Sequence, residues 1–226
     1  MSYSLPETWS LESLVDYFWM VQAMLEADPA TAGLAQPWLA LENDALSERT
    51  TRDSARKLLI KASALQRFKD LVWDTTVDRI GDKAMFDAGR DPKKPPYSLM
   101  FGSIRPSDAK RLGAVKAGDL GTILVEKLRA VAKPEYSELA DLFATASAEL
   151  GESDKTRKQR AAESQSHDVR RRALIDAAEA LVDKTQIGIL TAYPGDTARV
   201  RATLSPWKDP TRVNRASDED PEKKPE

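Results

Sequence analysis

The sequence predicts an all-α protein, a helical bundle of about six main helices. Three observations carry this reading. Only ten glycines occur in 226 residues, while Ala, Leu, Glu, Lys and Arg are abundant, so helix propensity is high through most of the chain. Apolar residues recur at spacings of three and four. No Asn-Gly or Asp-Gly hairpin turn is present, and no segment combines apolar–polar alternation with β-branched enrichment.

The spacing predicts a first helix over Ser10 to Ala27, with Leu11, Leu14, Val15, Phe18, Trp19 and Leu25 on one face. Asp28-Pro29 ends it and starts the next. An Asp caps orphan amides, and a proline at the first helical position loses no hydrogen bond. Leu34, Trp38 and Leu41 mark a second, shorter helix, with Pro37 as a possible kink. A long third helix is expected from Asp44 to Ile80 or beyond, with a stripe of Leu58, Ala62, Leu65 and Val72 flanked by Phe68 and Trp73. Gly89, Pro92, Pro95 and Pro96 make a loop that cannot remain helical.

The second half repeats this plan. Lys133-Pro134 follows Asp28-Pro29 by about 105 residues, and at that offset Leu139 matches Leu34 and Phe143 matches Trp38. Leu120, Ile123 and Leu124 match Val15, Phe18 and Trp19, and Leu204 matches Leu99. In between, Arg171, Leu174, Ile175 and Ala177 echo Arg56, Leu59, Ile60 and Ala62 at an offset of about 115, as compensating insertions would produce. The expectation is an internal duplication of a three-helix unit with pseudo-twofold symmetry. Residues 1–105 and 106–207 form the two units around one shared core. Pro29 and Pro134 are then equivalent helix starts, and Trp38 and Phe143 equivalent core sites. Lys208 to Glu226 holds three prolines, five basic and six acidic residues, so 208–226 is expected to be a disordered charged tail, with Trp207 the last anchored residue.

Composition excludes several chemistries. There are no cysteines, hence no disulfides, thiolate metal sites or cysteine nucleophiles. Neither a Gly-x-x-x-x-Gly-Lys-Ser/Thr loop nor a Gly-x-Gly-x-x-Gly run occurs, and no cofactor is implied. The one histidine, His167, has Glu163 four residues before it but sits in a polar run that reads as solvated surface. Gly118-Asp-Leu-Gly121 reads as a helix opening. In Tyr193-Pro-Gly-Asp196 a Pro-Gly turn precedes an Asp cap for a last short helix holding Val200 and Leu204. Asp74 with Asp78, and Asp176 with Glu179, share helix faces as solvated carboxylate pairs. The N-terminus lacks a secretory pattern, and the run Leu14–Leu25 is too short to span a bilayer. The expectation is a cytoplasmic protein with no membrane association.

Two features depart from this background. Lys155, Arg157, Lys158, Arg160, Arg170, Arg171 and Arg172 stand against only Glu163 and Asp168, in a chain of net charge -2. On one helix they spread into a collar that can meet an acidic protein or, less favoured, nucleic acid phosphates. The second feature is Tyr17-Phe18-Trp19, three helical residues that cannot all face one core. Burial on several sides accounts for them, or else Tyr17 and Trp19 contact a partner. The function these features suggest is a non-enzymatic helical scaffold or protein-interaction protein, with a protein partner or self-association. Alternatives are nucleic-acid binding through 155–172 and, third, a hydrolase relying on carboxylates alone.

Overall fold

A computed structural model describes residues 4–205. The tail expected at 208–226 and the anchor expected at Trp207 lie outside the described residues. Every regular element among the described residues is helical, as the composition predicts. They are α1 (Leu11–Glu26), a 3₁₀ turn (Ala32–Leu34), α2 (Gln36–Asp87), α3 (Tyr97–Phe101), α4 (Pro106–Ala109), α5 (Ala114–Arg129), α6 (Pro134–Ala192) and α7 (Thr197–Leu204).

Local chemistry sets most of these boundaries. The Ser10 hydroxyl accepts from the Ser13 amide and caps α1, which ends at Ala27 as its spacing predicts. Gly195 takes a φ of +82°, and the Asp196 carboxylate accepts from the Arg199 amide to cap α7. The expected second and third helices are, however, one helix, α2, of 52 residues. Pro37 falls in its first turn, where a missing N–H breaks nothing, and no proline or glycine follows until Gly81. The corresponding break in the second half is also absent, because α6 runs unbroken for 59 residues past Gly151. A lone helical glycine costs only about 1 kcal/mol, which is too little to end a helix held by packing. Gly118-Asp-Leu-Gly121 lies inside α5 instead of opening it, and Gly113 is the cap.

The described residues divide into two compact units, 4–53 with 165–205, and 54–164. In the first, Trp38 is the centre of an aromatic group: its ring lies 5.8 Å from both Tyr17 and Phe18, and Tyr17 lies 5.3 Å from Trp9. Trp38 Nε1 donates to Thr185 Oγ1 at 3.0 Å, and the Tyr17 hydroxyl donates to the Leu204 carbonyl. In the second, Trp73 and Phe143 pack at 5.4 Å, and Trp73 Nε1 donates to Ser147 Oγ at 3.1 Å. Met100, Leu124, Leu128 and Tyr136 complete that core. The buried apolar residues therefore form two clusters, where the sequence reading expects one shared core.

Each unit is built to one recipe. It takes a 16-residue helix (α1 or α5), the N-terminal part of the long helix that follows (α2 or α6), and the C-terminal part of the other long helix. Burial repeats accordingly. At an offset of 105, Trp38 corresponds to Phe143, Ala45 to Leu150, Ala62 to His167, Trp73 to Ala178, Val77 to Val182 and Ala84 to Ile189, and all twelve are buried. The expected drift to 115 does not hold: at that offset the exposed Ile60 would meet the buried Ile175. In the 16-residue helices the matching offset is 106, pairing buried Leu11, Phe18 and Gln22 with buried Ala117, Leu124 and Leu128. Pro29 and Pro134 each open a first turn, in which amides return to the carbonyls of Asp28 and Lys133. Only Pro134 continues directly into a long helix. After Pro29 the chain passes through the 3₁₀ turn before α2 begins.

The core side of α2 differs from the stripe expected there. Ala62, Trp73, Val77, Ile80 and Ala84 are buried, whereas Leu58, Leu65 and Phe68 are exposed. Apolar residues encircle this stretch of helix, so three–four spacing alone cannot choose the core face.

Glycines of α5 make a matched test. A Cβ on Gly121 would lie 2.5 Å from Ser147 Oγ, the acceptor of the Trp73 indole, whereas a Cβ on Gly118 meets nothing. Gly121→Ala is expected to lower unfolding free energy by about 1–3 kcal/mol, and Gly118→Ala to raise it by up to about 1 kcal/mol, read from denaturant melts. A second test concerns Glu12, whose carboxylate pairs with Arg52 at 2.9 Å. A backbone amide hydrogen bond, with Arg52 and Ser10 adding, holds its pKa down from 4.5 to about 2. Its contribution is complete above the unfolded value and is lost as pH falls from 4.5 towards 2. Thermal melts across that window are expected to show a shallower loss of stability with falling pH in Glu12→Gln than in the wild type.

Candidate functional site

The basic residues of 155–172 all lie on α6, and the protein itself engages six of the seven. Lys155, Arg157, Lys158 and Arg160 belong to the second unit, and Arg170, Arg171 and Arg172 to the first. Lys158 pairs with Asp154 at 2.7 Å and Arg157 with the same carboxylate at 3.2 Å; the Lys158 hydrogen bond is the main reason Asp154 titrates below the usual range. Lys155 pairs with Glu152 and Arg160 with Glu163. Arg171 donates to the carbonyls of Glu7 and Trp9, tying down the segment before α1. Arg170 reaches Glu48 at 3.4 Å. Arg172 has no ion-pair partner among the described residues. The i±3 and i±4 acids that neutralise the collar were present in the sequence, at 152, 154 and 163.

Within the second unit, Arg157 and Lys158 join Arg111 and Lys116 around an open cleft of about 490 Å³, beside Gly113–Val115 at the start of α5. Four cations and the unbonded amides of a helix start favour an anion there, and Asp154 on the same wall offsets part of that charge.

The trio at 17–19 separates by burial. Tyr17 is 3% exposed and hydrogen-bonded in the core, so as a partner contact it is corrected to a core residue. Phe18 is also buried. Trp19 is 52% exposed, and its indole donates to Glu42 at 2.6 Å.

His167 is likewise corrected, from solvated surface to core. It is 6% exposed, and its Nδ1 lies 2.5 Å from Glu48 Oε1 on α2. Its neighbours Ser166 and Asp168 point elsewhere on the helix and concealed this from a linear reading. Glu163, the acid four residues earlier, is engaged by Arg160 and Gln159 instead. The acid on the ring is Glu48 and not the adjacent Asp168.

One member of each carboxylate pair is engaged in the fold. Glu179 accepts from Ser4 Oγ and the Leu5 amide, fastening the N-terminal segment. Asp78 pairs with Lys110 at 2.9 Å. Asp74 is raised above the usual carboxylate range, first by burial and then by Asp70. A cleft of about 620 Å³ between α2 and α6 in the second unit brings Glu138, Asp141 and Glu149 near Arg79. Arg129 takes Asp141, however, and Lys69 takes Glu149. Among the described residues no group of three His, Asp or Glu side chains could hold a metal ion, and no helix is long and apolar enough to cross a membrane.

The surface that stands out is one the sequence reading did not single out. Ile60, Ala64, Phe68, Leu71 and Thr75 recur at four, four, three and four along α2 and are exposed, Ile60 to 60%, Phe68 to 57% and Leu71 to 62%. At about 100° per residue their mean direction is opposite to that of Trp73, Val77 and Ile80. The result is a continuous apolar stripe on the outer side of the helix.

In comparisons with known proteins, no family model, curated protein or solved structure matches this chain.

The buried His167–Glu48 contact makes a prediction. His167→Ala leaves the Glu48 carboxylate in the core with only Arg170 at its edge, and is expected to lose about 1–3 kcal/mol of stability in urea melts. Glu48→Leu combined with His167→Leu is expected to lose less than His167→Ala alone, because no buried charge is then left without a partner.

Proposed function

We propose that this chain is a non-enzymatic helical interaction protein that engages a protein partner through the outer face of α2. One observation carries the reading: three large apolar side chains, each more than half exposed, align in one stripe. Scattered surface leucines are ordinary, but a contiguous exposed apolar face marks a binding surface. Two of the three acids of the second-unit cleft are held by Arg129 and Lys69, and His167 is buried at 6% exposure, which favours this reading over hydrolysis. The absence of cysteine favours a cytoplasmic setting.

We also read the repeating burial at 105 as an internal duplication of 1–105 into 106–207. The copies then exchange the C-terminal parts of their long helices, as domain-swapped dimers do. Val169 is the one large apolar counterpart of the outer stripe in the second copy. Gln165, Ala173 and Asp176 stand 105 residues beyond Ile60, Phe68 and Leu71. Packing of the shared fold therefore does not require large apolar groups there.

A second reading rests on the cleft with Arg111, Lys116, Arg157 and Lys158. These are suited to a phosphate, and through it nucleic acid remains the alternative partner. A mobility shift at low salt that disappears in Arg157→Glu with Lys158→Glu would favour it.

Phe68→Asp with Leu71→Asp is expected to leave the circular dichroism spectrum unchanged and to remove the species cross-linked to this chain in its host cells. Cross-linked species that persist unchanged in the double variant would overturn the interaction reading.

A further inference from the structure

Charge is sorted along the stripe of α2. From Arg56 to Lys69 the helix carries five basic residues and no acid; from Asp70 to Asp82 it carries four acids and only Arg79 as a base. Stabilising pairs within a helix need opposite charges three or four residues apart, so blocks of one sign cannot neutralise themselves along the helix. Some members are used inside the unit: Lys69 pairs with Glu149, and Asp78 with Lys110, although Asp78 remains 49% exposed. Lys57, Lys61 and Asp82 have no ion-pair partner among the described residues. All three lie beside the apolar stripe, since Lys57, Lys61 and Asp82 fall within about 60° of its mean direction on the helix.

We infer that the stripe binds a second copy of this chain, its α2 antiparallel across a twofold axis that passes between Phe68 and Leu71. This deepens the interaction reading above and rests on it. In that arrangement Phe68 faces the partner's Leu71, Ala64 faces the partner's Thr75, Lys61 faces the partner's Asp78 and Lys57 faces the partner's Asp82. The twofold repeats each pairing, so four ion pairs flank an apolar centre. A twofold interface needs one surface complementary to itself. A stripe with a basic block at one end, an acidic block at the other and apolar residues between them meets that condition only when antiparallel. Parallel pairing would set Lys57 and Lys61 against their own copies. The strip from Lys57 to Asp82 is about 39 Å long and one helix wide, smaller than a standard interface, so the dimer is a weak one, with a dissociation constant roughly in the micromolar range.

The test is a charge exchange on the full chain, followed by light scattering and sedimentation from about 1 to about 100 µM, the span that brackets such an interface. The wild type is expected to pass from monomer to dimer. Lys57→Glu with Lys61→Glu, and separately Asp78→Lys with Asp82→Lys, are each expected to weaken dimerisation at least about tenfold. An equimolar mixture of the two variants is expected to recover dimers, because every repulsive pairing then becomes attractive. The chain has no cysteine, so a second readout is clean. Ala64→Cys mixed with Thr75→Cys should give an intermolecular disulfide on mild oxidation. Ala64→Cys alone should not, since its two copies would stand about 16 Å apart along the axis. Exchange variants that stay dimeric alone, a mixture that stays monomeric, or a wild type that is monomeric throughout the range would each overturn the pairing. In the last case, loss of cross-linked species in Phe68→Asp with Leu71→Asp would show that the stripe serves a different protein, and their persistence that it serves none.

Discussion

The hydrogen bond from Trp38 to Thr185 joins residues 147 positions apart, and the rest of the first unit is arranged around that closure. Neither α1 nor the N-terminal part of α2 can bury Trp38 alone. The missing wall comes from the C-terminal part of α6, whose Ala178, Val182 and Ile189 are buried in the same cluster. Small residues make this possible. Gly188 faces Leu34 so closely that a Cβ there would fall 2.7 Å from the leucine methyls. The second unit solves the same problem with the parts exchanged, closing Phe143 on α6 against Trp73 on α2.

That exchange explains why the long helices run unbroken. Each must supply one core with its first turns and the other core with its last turns, so any break would detach half of each unit's wall. Buried aromatic and aliphatic contacts hold the helices through Gly81, Gly151 and Gly188, where intrinsic propensity is poor. It also explains the polar contacts found between distant segments. Tyr193, Asp28 and Arg199 meet where the turn before α2 reaches the start of α7, with the Tyr193 hydroxyl 2.6 Å from Asp28. That hydrogen bond is the main cause of the low Asp28 titration.

The proposed function belongs to surface left over after the two cores are satisfied. A helix serving as a wall has one face used and one face free, and evolution is at liberty to make the free face polar. On α6 it did so in part: Gln165, Ala173 and Asp176 stand 105 residues beyond Ile60, Phe68 and Leu71, although the exposed Val169 lies among them. On α2 it did not, and the sorted charges beside the apolar stripe give the face a polarity and a direction. The basic collar of α6 is less distinctive than its composition suggests, because neighbouring acids engage five of its seven members.

Local chemistry in the sequence determined the helical class, the caps at Ser10 and Asp196, the turn at Pro194-Gly195, the loop at Gly89–Pro96 and the central placing of Trp38 and Phe143. These follow from propensity, capping and turn geometry, which act over a few residues. Which face of α2 is core, where Tyr17 and His167 lie, and how the chain divides into units were decided by the tertiary structure. The reason is physical. Apolar residues encircle α2 near Phe68, so spacing permits either face to pack, and only the partner helix breaks the tie. His167 looks solvated from its neighbours in sequence because its acid, Glu48, is supplied by a helix 119 residues earlier. An offset of 105 was legible from a proline and an aromatic, but the contribution of each long helix to both units was not, since sequence records which residues recur and not which wall each one meets.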